Sequence, residues 1–165
     1  MPIMRGFIYV LVAVVVLCVA SCSKSMSHDT SLDKAEQLMR SNPDNALAIL
    51  EAIDPSDLKV DSLKARFHYL KAFGHMKRNR SMIEDSLITF AHKYYRGKDI
   101  VKDIRSGIAL AFYKFWVGDT PGSIAMLDSL TKLPHVPDSL MTEALRIRVL
   151  LGTSEYQGRQ IIPLA

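Results

Sequence analysis

The chain is poor in the residues on which cross-linked and many catalytic proteins depend. Two cysteines in 165 residues, Cys18 and Cys22, exclude a disulfide framework and a four-cysteine zinc site. A glycine-rich phosphate loop, His-Glu-x-x-His, Gly-x-Ser-x-Gly and Cys-x-x-Cys are all missing. No catalytic residue, metal ligand or cofactor site is therefore expected, and the expectation is a protein that is not an enzyme. A long excess of one charge is lacking too. Charged residues make up 23% and the net charge is +4, which excludes a disordered acidic or basic tail. The apolar run at residues 6–20 has 15 positions, short of the about 20 that a membrane-spanning helix needs. The length fits one domain.

What is present is unevenly spread. Arg5 precedes that apolar run, as a basic residue precedes the core of a secretory signal, and the run closes with Val19-Ala20-Ser21-Cys22. On the residues alone an ordinary signal peptide or anchor would read the same way. The aliphatic-small-small-cysteine order resembles the bacterial lipobox, and that resemblance implies cleavage before Cys22 and acyl chains on its sulfur and new amine. Two or three such chains hold a protein to a membrane stably, at about 0.8 kcal/mol per buried CH₂. The resulting division is a lipoprotein signal peptide at 1–21, a lipidated tether at 22–30 and a helical domain at 31–165. Cys18 leaves with the signal. Without residues 1–21 the chain keeps 144 residues, a net charge of +3 and an apolar share of about 43%, ordinary for a soluble domain.

From Ser31 onward, apolar residues recur at helical spacing and no alternating strand pattern occurs. Seven helices are expected, at about 31–41, 43–53, 60–78, 81–96, 100–117, 121–132 and 138–151. Asn42 and Thr120 stand before prolines suited to the first helical position, and Asp-Ser pairs before Leu63 and Leu140 offer capping oxygens. Residues 46–53 align with 123–130 at an offset of 77, and Asp61-Ser62-Leu63 aligns with Asp138-Ser139-Leu140 at the same offset. Ala72-Phe73 recurs as Ala111-Phe112 at an offset of 39. The period is therefore 38 or 39 residues, with two helices per unit.

This pattern resembles the tetratricopeptide (TPR) family. Val117-Gly118-Asp119 followed by Ser123 matches the turn and the small residue of that family's second helix, and Gly74 and Ala111 lie near its close-approach position. The unit is longer than the family's usual 34 residues, and its aromatic positions are only loosely filled, so TPR-like is the fitting term. The stretches Leu32-Asp33-Lys34-Ala35-Glu36 and Asn42-Pro43-Asp44-Asn45-Ala46-Leu47 also resemble a class of Bacteroidetes lipoproteins and membrane regulators. The implied fold is all-α, a right-handed α-α superhelix of helical hairpins. The last expected helix would open a hairpin with no second member, leaving Leu145, Val149 and Leu150 uncovered. Either the chain is shortened or another molecule covers that edge.

One surface feature is ordered enough to be a candidate site. Lys64, His68, Lys71, His75 and Arg78 recur at steps of four, three, four and three, along one side of the third helix. The plain reading is a solvated face; the functional one is a basic groove for acidic peptide segments or anionic headgroups. His68 and His75 are two turns apart, too far for a helical zinc pair. Glu51, Asp54, Asp57 and Asp61 read as caps around a turn, and His28-Asp29 falls in the tether. Tyr94-Tyr95 could offer a contact point, and Trp116 with Phe112, Tyr113 and Phe115 reads as core packing. Four Asp-Ser-Leu tripeptides resemble an O-glycosylation acceptor of Bacteroidetes secreted proteins. The leading expectation is a lipid-anchored, non-catalytic adaptor of the bacterial cell envelope. It would bind protein partners and touch the membrane through its anchor, and the compartment argues against nucleic acid. The alternatives are the sensory part of a membrane regulator, and a glycan or small-ligand binder with a deep aromatic-lined pocket.

Overall fold

The computed structural model describes residues 28–161, with side chains described as far as Thr153. The expected signal segment, Cys22 and the first part of the tether lie outside the described residues. Those described form seven α-helices, one 3-10 turn and no strand. α1 spans residues 28–38, and α2 is Pro43–Glu51. The 3-10 turn Pro55–Asp57 leads to α3, Asp61–Lys77. α4 (Ile88–Tyr95), α5 (Ile100–Trp116), α6 (Thr120–Leu130) and α7 (Asp138–Ile161) complete the order.

Local chemistry explains most of the boundaries. The Asn42 side chain accepts from the Asn45 N–H at 3.1 Å, and Pro43 follows where a missing N–H costs nothing. Asp99 caps α5 by accepting from the N–H groups of Val101 and Lys102. The α6 cap is Asp119, not the expected Thr120: its carboxylate accepts from Gly122 N–H at 2.9 Å, and Thr120 is already helical. The Asp-Ser pairs do not cap either. Asp61 and Asp138 are the first residues of α3 and α7, and α3 starts after Val60 without a side-chain cap.

Three spans differ from the sequence pattern. α1 already includes residues 28–30, so His28 to Thr30 are helical rather than tether. The hold there is tertiary: Arg66 of α3 pairs with Asp29, Asp33 and Glu36 on successive turns of α1. Residues 81–87 are turns, although their apolar spacing suits a helix. Met82 is fully buried and Asp85 nearly so, which bends the backbone to serve both. α7 runs through Gly152 to Ile161 because no proline interrupts it before Pro163.

The odd-numbered helices α3, α5 and α7 start at residues 61, 100 and 138, spacings of 39 and 38. They pack side by side: α3 touches α5, and α5 touches α7. The even-numbered helices form a second layer, with α2 on α3, α4 on α3 and α5, and α6 on α5 and α7. One continuous core lies between the layers, including Leu47, Leu50, Tyr69, Leu70, Ile88, Ile104, Ile108 and Leu127. Each such side chain contributes about 1.5–3 kcal/mol by leaving water. Close approach is set by glycine. A Cβ on Gly74 would stand 2.7 Å from Leu47 Cδ2, and one on Gly107 would stand 2.7 Å from Leu130 Cδ2.

Candidate functional site

Two basic surfaces adjoin α3, and the structure treats them differently. Along the face read from the sequence, Lys64, His68 and Lys71 line a cleft of about 480 Å³, opposite Glu84 and Leu87. The other two members are diverted. His75 Nδ1 lies 2.7 Å from Oδ2 of Asp85, a carboxylate that is almost wholly buried. Arg78 Nε lies 2.8 Å from Asp44 Oδ1, which Arg80 also reaches. Lys64 is 3.9 Å from Asp61. His68 meets the Phe67 ring edge-on, and burial followed by the nearby Lys71 charge lowers its pKa. His75 and Arg78 are thus an ion-paired seam that pins the 81–87 turns and the α2 terminus to α3, while Lys64, His68 and Lys71 face the cleft.

The other basic face opens on the layer of odd-numbered helices. Two adjoining hollows of about 450 and 250 Å³ share Lys77, Glu143 and Arg146. Phe73, Met76 and Phe112 form the apolar floor from α3 and α5, and Ile147 and Leu150 continue it on α7. Arg40, Lys77, Arg105 and Arg146 supply four cations against the single carboxylate of Glu143. Lys77 Nζ sits 3.3 Å from Glu143 Oε1 and 5.1 Å from the centre of the Phe73 ring. Arg40, Arg105 and Arg146 make no ion pair with another described residue. Leu150, expected to lack a cover, is 54% exposed and extends this floor; Leu145 and Val149 are likewise exposed.

These four cations escape a reading along single helices because they come from four elements. The available signal was the recurrence of Phe73 as Phe112, since both rings form the floor and Lys77 is one turn beyond Phe73.

A Ser-His-Asp grouping also occurs, and its geometry is not that of a hydrolase. His92 Nδ1 lies 3.2 Å from Ser106 Oγ and 3.5 Å from Asp103 Oδ1. A catalytic triad needs serine and carboxylate on opposite ring nitrogens, whereas here both face the same one. Ser106 is fully buried and its hydroxyl donates to the Asp103 carbonyl.

The remaining sequence candidates fall into structural roles. Asp54 caps the 3-10 turn, and Glu51 lies 3.9 Å from Arg80. Tyr95 is buried against Tyr69, and burial raises the pKa of both phenols; it is not an exposed contact point. Tyr113, Phe115 and Trp116 pack half-buried against the core and line none of these hollows. No described group of three His, Cys, Asp or Glu residues could hold a metal. No described helix is long and apolar enough to cross a membrane. No family model matches the chain, and no curated protein or solved structure matches it.

Proposed function

We propose that this chain is a lipid-anchored, non-catalytic adaptor of the bacterial cell envelope that captures an acidic protein segment on its layer of odd-numbered helices. Its repeats would be TPR-like hairpins stacked as an α-α superhelix, with Cys22 carrying the acyl chains. The 38- and 39-residue spacing of the odd-numbered helices supports the repeat reading, as does their side-by-side packing under a second layer.

The observation that carries the functional reading is the groove of Arg40, Lys77, Arg105 and Arg146 over Phe73, Phe112 and Ile147. Apolar side chains of a partner would bury on that floor while its carboxylates meet guanidinium groups, which bind them bidentately. Net positive charge around the groove would also speed encounter with an acidic segment.

The test is capture of envelope proteins on the full chain and on its Arg105→Glu/Arg146→Glu variant. Partners of the proposed kind are lost from the variant but kept by Lys64→Glu/Lys71→Glu; equal capture by all three proteins refutes the groove. Separately, Cys22→Ala releases the protein from membrane fractions, and unchanged partitioning refutes the anchor.

A further inference from the structure

The second layer holds a cavity of about 560 Å³ where the end of α4, the start of α5 and the end of α6 meet. That volume is in the range of small-molecule sites, roughly 300–1,000 Å³. Its walls are unlike those of the groove. Met126, Leu130 and Leu133 form an apolar side, Arg96 and Lys132 stand as cations, and His92 presents its imidazole.

The state of His92 follows from its neighbours. Ser106 spends its proton on the Asp103 carbonyl, so its oxygen can only accept from His92. Nδ1 therefore carries the ring proton, directed at Ser106 and Asp103. Burial, the leading influence, keeps the imidazole pKa low, and the Arg96 charge acts in the same direction against the opposing pull of Asp103. Nε2 is left as a lone-pair acceptor with no hydrogen bond to a described residue.

Asp103 is also committed: one carboxylate oxygen accepts from the Gly97 N–H at 3.0 Å and the other faces His92. Arg96 and Lys132 have no ion pair with any described residue. The cavity thus offers two cations, two neutral acceptors in His92 Nε2 and the Ser129 hydroxyl oxygen, the engaged carboxylate of Asp103 and an aliphatic wall. An ammonium group would meet two like charges, and with Asp103 already engaged by the Gly97 N–H the balance favours an anion together with a neutral hydroxyl as the donor to Nε2.

We infer that this cavity binds a small hydroxycarboxylate, with its anion between Arg96 and Lys132, its hydroxyl donating to His92 Nε2 and its carbon body against Met126, Leu130 and Leu133. The site is separate from the groove of odd-numbered helices and stands whether or not that groove binds protein.

The experiment titrates the detergent-solubilised full chain with mandelate, 4-hydroxyphenylacetate, phenylacetate and inorganic phosphate, following the backbone amide signals of Gly97 and Leu133 by NMR. One hydroxylated acid is expected to saturate the site about tenfold more tightly than phenylacetate, the worth of one buried hydrogen bond. His92→Phe removes that discrimination. Arg96→Gln/Lys132→Gln, both at exposed positions that spare the core, weakens every acid at least about tenfold. Overturning results are no saturable shift with any of the acids, equal affinity for phenylacetate, tighter binding of phosphate, or affinity unchanged in the Arg96/Lys132 variant.

Discussion

Two basic surfaces that meet at α3 teach what makes a cationic surface available. On the Lys64–Arg78 side, two acids that oppose α3 are close in space and well placed: Asp85 for His75 and Asp44 for Arg78. On the side of Phe73 and Lys77, one carboxylate faces four cations drawn from α3, α5, α7 and the turn after α1. The first face spends His75 and Arg78 on holding the fold, whereas the second pairs only Lys77 and keeps Arg40, Arg105 and Arg146. Counting basic residues along a helix does not separate the two; counting the carboxylates across from them does.

The contrast can be broken at several strengths. Phe73 is buried beneath the groove, so Phe73→Ala should cost about 3–5 kcal/mol of unfolding free energy by denaturant titration, and a loss below 1 kcal/mol would show a loosely packed floor. Arg105→Glu/Arg146→Glu should weaken an acidic amphipathic peptide about 100-fold in fluorescence anisotropy, from two charge-assisted contacts of about 1.5 kcal/mol each. The matched Lys64→Glu/Lys71→Glu protein should change that affinity less than about threefold; the reverse ranking would return function to the stripe.

Asp85→Ala should destabilise by about 1–3 kcal/mol, because it strands the half-buried His75 nitrogen; a change within 0.5 kcal/mol would deny the seam its structural role. The smallest effect is in pH. His68 and His92 are held neutral in the folded chain, chiefly by burial, while unfolded histidine protonates near pH 6.5. Protons then favour the unfolded state, so stability should be full above about pH 6.5 and decline as pH falls below it. Denaturation midpoints at pH 7.5 and 5.5 should differ less in His92→Gln than in the parent.

Much of the fold was legible in the chain itself. Leu47 and Leu50, Ala65 and Tyr69, and Ile104 and Ile108 mark buried helical faces by their spacing of three or four, and Asn42-Pro43 marks a start by its own capping chemistry. Misreadings occurred where distant groups overrode local pattern. Residues 81–87 have helical apolar spacing, yet burying Met82 and pairing Asp85 with His75 is the better solution. His28 to Thr30 look like tether until Arg66, more than thirty residues away, gives α1 a partner. Thr120 lost the α6 cap to Asp119, which also pairs with Lys114 at 2.7 Å and so holds its carboxylate below the usual pKa.

The candidate site was legible only in part. The Phe73–Phe112 recurrence pointed to the groove floor, but its cations sit on separate elements and share no motif. What the sequence by itself determined is the helical class, the two-helix period and most helix starts, since these follow from side-chain spacing and capping within a few residues. Only the tertiary structure decided which cations stay free, because a charge is neutralised by whatever carboxylate the fold brings within about 4 Å, as Glu143 is brought to Lys77 across 66 residues.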